Sequence, residues 1–280
     1  MIKLRATAIL CALASGCARR YPVEGLVLAV NPAQKEFTVS HRQIEGFMPA
    51  MVMPFSASPV ALESLHPGSR VTFQLSVSKH GSKASHIKLA NTGIEGIKLE
   101  DGELLQLPEA KGKVALDQPM PDFTLLDQSG QPISVSSFRG KTVVVNFIYT
   151  RCPLPDVCPR LSAGFAYLQR KFTGQMGNSL VLLSITLDPV YDTVETLSGY
   201  AKNWRADRSG WHMLTGTTAQ IAEVAGRFGL VYWAEEDGIV HASVTAIISP
   251  GGRLVARIEG SRYPVTQLAD LVRHELEKNK

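Results

Sequence analysis

The stretch TVVVNFIYTRCPLPDVCP, residues 142 to 159, joins a strand signal to a loop that holds two cysteines. Its first nine residues are nearly all apolar or β-branched, which is typical of a central strand buried on both faces of a sheet. Pro159 predicts that a helix begins near Cys158, because proline is favoured in the first turn of a helix. Cys152 then lies just beyond the carboxyl end of the strand, where open α/β sheets place their ligand sites.

Strand and helix patterns alternate after this loop. A second buried strand is predicted over residues 179–187, and Pro250-Gly251-Gly252 predicts the turn of an antiparallel hairpin. Amphipathic patterns predict helices over residues 161–172, 194–204, 218–228 and 265–279. This order of elements predicts an α/β thioredoxin-like fold for residues 116–280.

The N-terminal region has a different pattern. Five short strands separated by turn signals are predicted within residues 22–92, which suits a small all-β OB-like barrel. Residues 93–115 are rich in glycine and charge and lack periodicity, so we predict a linker there. The chain is therefore expected to contain two domains.

The first residues predict export. Residues 1–16 have a charged start, a short apolar stretch and small residues at the end, as in a signal peptide. The sequence Ala-Ser-Gly-Cys at positions 14 to 17 resembles a bacterial lipobox, which implies lipidation of Cys17 and a lipid-anchored position on the extracytoplasmic, periplasmic side of the cell envelope. A plain signal peptide cut at another small residue is the alternative. The net charge of +4 is weak and dispersed, which argues against nucleic-acid binding.

After processing, Cys152 and Cys158 would be the remaining thiols, and they can form a disulfide, a redox pair or two soft metal ligands. A helix start favours a thiolate, so Cys158 is predicted to be ionised. His241 immediately precedes a strand that should run antiparallel to the strand before Cys152, which places it at the same edge of the sheet. Two thiolates and an imidazole suit copper, whereas zinc normally takes a fourth ligand. A lone histidine before a strand also suits a purely structural role.

Three motifs, FIYTRCPLPDVCP, SITLDPVYDT and HASVTAIISPGGRL, together resemble the Sco/SenC family of thioredoxin-like copper proteins. The resemblance implies copper binding by Cys152, Cys158 and His241, and assistance in loading the binuclear copper site of cytochrome c oxidase. The chain departs from the commonest pattern, because five residues rather than three separate the cysteines. Asp188 and Asp192 belong to the second motif, but Asp192 with Glu195 also fits a capping box, and we predict no catalytic role for either aspartate.

The stretch HRQIEGFMPAMVMPF, residues 41 to 55, is rich in methionine. Met51 and Met53 alternate, so on a strand they point to one face, and thioethers suit Cu(I). They could instead be part of the inward row of a barrel, continued by Phe55. The stretch resembles the CusF copper-binding proteins, which implies His41, Met51 and Met53 as ligands. Met48 stands where the best-known pattern has tryptophan, as an added ligand or as a hydrophobic cover.

Two functions remain open from the sequence. The first is a copper metallochaperone whose partners are the copper-bearing subunit of cytochrome c oxidase and a thiol reductant, since copper capture requires reduced cysteines. The second is a thiol–disulfide oxidoreductase acting on cysteines of a partner protein. General oxidoreductase activity is disfavoured because residues 238–241, Gly-Ile-Val-His, lack the proline that thioredoxins have before this strand. Transfer of copper between the two domains is a further hypothesis.

Overall fold

The computed structural model describes residues 19–78, 81–90, 110–235 and 238–278. The predicted signal peptide, Cys17 and most of the predicted linker lie outside these residues. Among the residues that are described, no helix has the length and apolar character needed to cross a membrane.

Residues 19–90, here called the sheet domain, form one antiparallel sheet. Its strands lie in the order β3-β2-β1-β4-β5. The sheet curls around a core that includes Phe37, Phe55 and Phe73, whose rings pack against one another. Where an OB-like barrel was predicted, the structure shows a curled five-stranded sheet. The bounds are β1 Arg19–Asn31, β2 Glu36–His41, β3 Met51–Ser56, the short helix α1 Pro59–Leu62, β4 Arg70–Ser78 and β5 Gly81–Leu89.

Residues 110–278, here called the α/β domain, contain a mixed sheet with the strand order β10-β9-β8-β13-β14. Every residue of β8 and β9 is buried, as the apolar runs predict. Helices α2, α3 and α5 cover one face of this sheet, and α4 covers the other. The bounds are β8 Thr142–Ile148, α2 Cys158–Lys171, β9 Leu180–Thr186, α3 Val194–Trp204, β10 Trp211–Leu214, α4 Thr218–Arg227, β13 Val244–Ile248, β14 Leu254–Glu259 and α5 Val265–Glu277.

The α/β domain also has two small hairpins that the sequence patterns did not predict. Strands β6, Thr124–Leu126, and β7, Pro132–Ser134, form the first. Strands β11, Tyr232–Glu235, and β12, Gly238–His241, form the second, and its last residue is His241. Strand β13 follows and pairs antiparallel with β8, with Thr245 opposite Asn146. This register places His241 at the edge of the sheet where β8 ends, as expected.

Candidate metal centres

The cysteine loop begins where β8 ends and finishes in α2. Cys158 is the first residue of α2 and is completely buried in the core between α2 and the sheet. Cys152 is only half-buried, and its Sγ lies 3.8 Å from the carbonyl oxygen of Leu154. Pro159 occupies the first turn of the helix, where its missing N–H costs no hydrogen bond. The loop therefore offers one accessible sulfur and one buried sulfur.

The two cysteines have opposite pKa shifts. A hydrogen bond from Cys158 lowers the pKa of Cys152 to about 4. The same hydrogen bond, together with burial, raises the pKa of the Cys158 thiol above its ordinary value. The prediction that Cys158 is the thiolate is therefore wrong. Its position at the helix start is as expected, but complete burial and donation to Cys152 outweigh the helix dipole.

His241 faces the buried cysteine. Its Nε2 lies 3.9 Å from Cys158 Sγ, and its Nδ1 lies 2.8 Å from the carbonyl oxygen of Ala242. Because a carbonyl oxygen only accepts, Nδ1 carries a hydrogen, and Nε2 is the ring atom left to face the sulfur and to serve as a ligand. The ring also packs edge-on against Tyr149, whose hydroxyl donates to the carbonyl oxygen of Ile239 at 3.5 Å. Tyr149 thus contacts both His241 and the strand that carries it.

Within the described residues, no three His, Cys, Asp or Glu side chains converge into a ready-made metal cage. Cys152, Cys158 and His241 are nevertheless neighbours, and they offer one thiolate, one thiol and one imidazole lone pair. This donor set fits copper, since thiolate suits the soft ion and imidazole suits both oxidation states. Binding copper requires Cys158 to release its proton.

A buried carboxylate holds in place the residues that directly precede Cys152. Asp192 is fully buried and accepts hydrogen bonds from the backbone N–H and the hydroxyl of Thr150 and from the hydroxyl of Thr186. Burial raises the pKa of Asp192, and its charge opposes ionisation of Cys158. The predicted capping box is wrong, because Thr193 is the residue that caps α3 while Asp192 points inward.

Next to Thr150, the Nε of Arg151 donates to Asp188 at 2.8 Å, and the guanidinium lies over the ring of Tyr191. The loop before α3 is thereby joined to the residue that precedes Cys152. Asp188 and Asp192 both hold the cysteine loop, which is a structural role that the sequence analysis did not assign.

The methionine stretch forms a second candidate centre in the sheet domain. His41 lies opposite Met51 in the β2–β3 pair, and Val39 lies opposite Met53, so the histidine and both methionines share one face. The Nδ1 of His41 lies 2.7 Å from the carbonyl oxygen of Arg42, which again leaves the lone pair on Nε2. This Nε2 is buried and has no hydrogen-bond partner.

An unpartnered buried nitrogen is costly unless it serves a ligand, and His41 lies across the strand pair from the soft thioether of Met51. Met53 is partly buried against the core, while Met51 is 47% exposed. Met51 is therefore not part of a fully buried inward row, whereas Phe55 is buried. The three side chains fit Cu(I) at the rim of the sheet.

The loop before β3 contains Met48, the residue at the tryptophan position of the CusF pattern. Met48 pairs with Ile44 in an isolated bridge and packs against the core of the sheet domain. Its neighbour Phe47 stacks on Tyr21, with the ring centroids 4.5 Å apart. The position where the CusF pattern has tryptophan is thus apolar, and an aromatic pair lies beside it.

Comparison with known proteins identifies both domains. The SCO1/SenC family model matches residues 113–277, and the model of the copper-binding periplasmic protein CusF matches residues 20–89. The chain belongs to the SCO1/SenC family. Its α/β domain is a Sco domain with the thioredoxin-like fold, and copper is the metal common to both matched families.

Individual relatives agree with this assignment. A mitochondrial SCO2 homologue from Bos taurus is 32% identical over 184 residues, which cover 63% of this chain and 66% of the relative. The crystal structure of a SCO1/SenC family lipoprotein from Bacillus anthracis is 25% identical, with a TM-score of 0.50, and the match covers 57% of this chain and 99% of that one. A structure of BsSco, described as a member of the Sco family of cytochrome c oxidase assembly proteins with a disulfide switch, is 26% identical, with a TM-score of 0.50, over 59% of this chain and 97% of that one.

Proposed function

We propose that the protein is an exported, membrane-anchored copper metallochaperone that binds copper through Cys152, Cys158 and His241. Its acceptor is the binuclear copper site in the copper-bearing subunit of cytochrome c oxidase. The observation that carries the proposal is the Nε2 of His241 facing Cys158 at 3.9 Å beside the Cys152 thiolate. The description of BsSco as one of the oxidase assembly proteins supports this acceptor.

The proposed role of each ligand follows from its burial. Cys152 is the accessible ligand, so a cysteine of the acceptor replaces it first in a stepwise exchange. Cys158 and His241 hold the ion from the buried side until the acceptor has supplied its next ligand. The proton that Cys158 loses when copper binds returns to it when copper leaves. A thiol reductant must keep both cysteines reduced between cycles.

We further propose that the sheet domain closes as an OB-like barrel of the CusF type and holds Cu(I) through His41, Met51 and Met53. Met48 either adds a ligand or covers the ion. The buried, unpartnered Nε2 of His41 supports this second site. The ligands are uncharged, so this site stores Cu(I) without releasing a proton, in contrast to the cysteine site.

The extracytoplasmic, lipid-anchored position through Cys17 belongs to the same proposal. It is supported by the periplasmic location in the description of the CusF model and by the lipoprotein from Bacillus anthracis. Labelling of cells with a radioactive fatty acid tests it. The expected result is label on the full chain and none on Cys17→Ser, and label on both proteins would contradict the anchor.

Anaerobic titration of the reduced protein with Cu(I) against a chromogenic competitor tests both sites. Two tightly bound ions are expected, with one lost in Cys152→Ser/Cys158→Ser and the other lost in Met51→Leu/Met53→Leu. Met120→Leu is the matched control, since Met120 is buried in the Sco domain away from both centres. Transfer to a copper-free oxidase fragment then tests the acceptor, and absence of transfer would contradict the chaperone function.

The alternative function is a thiol–disulfide oxidoreductase, and the pKa of about 4 at Cys152 favours it. The Cys152 thiolate would attack a disulfide of the partner and form a mixed disulfide. Cys158 would then attack Cys152 and release the partner as a dithiol, so that two electrons pass to the partner. If the double serine variant keeps both copper ions while the parent chain reduces a partner disulfide, this alternative replaces the cysteine copper site.

A further inference from the structure

Helix α5 of the Sco domain contacts the strand that carries His41. Gln267, in the first turn of α5, donates its side-chain amide to the backbone oxygen of Ser40 at 2.8 Å. The hydroxyl of Ser40 donates to Asp270, one turn further along α5, also at 2.8 Å. Ser40 and Gln267 are both buried. Two hydrogen bonds therefore join α5 to β2 at the residue directly before His41.

The neighbouring strand β1 also packs closely against β2. Gly25 on β1 lies directly across from His41, and a side chain at this glycine would meet the Ser40 backbone oxygen at 2.7 Å and Val39 at 2.4 Å. Any Cβ at position 25 would thus push β2 away from β1. The strand that carries His41 is thus in close contact with β1 and hydrogen-bonded to α5, with little freedom to shift.

These hydrogen bonds belong to an extended contact between the domains. Leu26 and Leu28 of β1 are fully buried in the same core as Leu268 and Leu271 of α5. Gly68, with φ of +93°, packs so closely against the Arg257 backbone oxygen that a Cβ would lie 2.4 Å from it. The apolar packing explains why the domains are docked, and the bonds at Ser40 determine where β2 lies along α5.

We propose that Gln267 and Asp270 of the Sco domain are positioning residues for the copper site of the sheet domain. They hold Ser40, and through the backbone they set where the Nε2 of His41 lies relative to Met51 and Met53. The Cu(I) affinity of the sheet domain then depends on its docking against the Sco domain. This inference rests on the proposed function of the sheet domain as a Cu(I) site.

The test uses the full chain in a Cys152→Ser/Cys158→Ser background, so that only the sheet-domain site binds copper. Gln267→Leu removes the bond to Ser40 and keeps the volume of the side chain. Gln128→Leu is the control, because Gln128 is equally buried and its amide donates to the backbone of Trp211 within the Sco domain. Cu(I) affinity by competition and the ¹⁵N shifts of the His41 ring are measured for each variant, together with thermal stability.

Gln267→Leu is expected to weaken Cu(I) binding roughly three- to tenfold, which corresponds to the loss of one hydrogen bond, and to shift the His41 ring signals. Ser40→Ala is expected to act in the same direction. Gln128→Leu is expected to lower thermal stability while the affinity and the ring signals stay as in the parent. Unchanged affinity in Gln267→Leu, or an equal loss in Gln128→Leu, would overturn the inference alone. If the Cys152→Ser/Cys158→Ser protein itself binds no Cu(I), the proposed sheet-domain site would be overturned as well.

Discussion

The two candidate copper sites use the same histidine geometry in different surroundings. In both, Nδ1 faces the carbonyl oxygen of the next residue, Arg42 or Ala242, and Nε2 is left for a ligand. The Nε2 of His41 is buried without a partner, on the sheet face that carries Met51 and Met53, whereas the Nε2 of His241 faces a cysteine. The histidines are alike, so the sulfur chemistry makes the difference.

This difference in sulfur chemistry suits the sheet domain to copper storage and the Sco domain to copper exchange. A thioether has no proton to lose and forms no disulfide, so copper binding by Met51 and Met53 should be insensitive to thiol oxidation. The pair Cys152 and Cys158 must lose a proton and stay reduced before it can bind copper. The copper content of the Sco domain can therefore be regulated by the redox state of its cysteines. The sheet domain can hold copper whether or not thiols are oxidised.

The largest expected effect is complete loss of one copper ion on thiol oxidation. Diamide should join Cys152 and Cys158 in a disulfide, because the two side chains are near enough to shift each other's pKa. Titration of the oxidised protein should then show one Cu(I) ion instead of two, and reduction should restore the second. Loss of both ions, or of neither, would contradict the division between a thiol site and a thioether site.

A second large effect is expected in the alkylation of the two cysteines. With a pKa of about 4, Cys152 stays a thiolate between about pH 6 and pH 8, so its rate with iodoacetamide should be nearly constant over that range. An ordinary thiol would slow about tenfold for each pH unit below its pKa. Cys158, buried and with a raised pKa, should remain unmodified.

Mass spectrometry of the reduced, copper-free protein locates the label. Preferential alkylation of Cys158, or a rate that falls steadily below pH 8, would show that the two ionisation states have been assigned the wrong way round. His41→Leu is a suitable control, since it alters the sheet domain and should leave the alkylation profile unchanged.

A third effect concerns the stability of the cysteine loop. Asp192→Ala removes the acceptor for Thr150 and Thr186 and should lower the free energy of unfolding by about 2–3 kcal/mol, because buried hydroxyls lose their partner. Asp192→Asn retains an oxygen acceptor and should cost less. His41→Leu is expected to cost about 1 kcal/mol, since only the Nδ1 bond to Arg42 is lost and the Nε2 has no partner. Denaturant unfolding of the three variants measures this order, and an equal cost for all three would contradict it.

Local patterns were sufficient to predict the thioredoxin-like fold of the α/β domain and to group Cys152, Cys158 and His241. The apolar run of β8 and the turn between β13 and β14 are local signals, and together they place the histidine at the edge where β8 ends. The ionisation of the cysteines was not predictable, because the burial of Cys158 depends on how α2 packs on the sheet. The contact of Ser40 with Asp270 joins residues 230 positions apart, for which no local pattern exists.

The smallest expected effect tests the support of His241. Tyr149→Phe removes the hydroxyl that donates to the Ile239 oxygen at 3.5 Å and keeps the ring that packs against His241. Because this hydrogen bond is long, Cu(I) affinity at the cysteine site should fall only about two- to threefold, while the sheet-domain site is unaffected. Tyr149→Leu also removes the edge-on ring contact and should weaken the cysteine site further. Competition titrations of both variants give the comparison. Equal affinities in the parent and in both variants would show that Cys158 and the carbonyl oxygen of Ala242 suffice to hold the imidazole of His241.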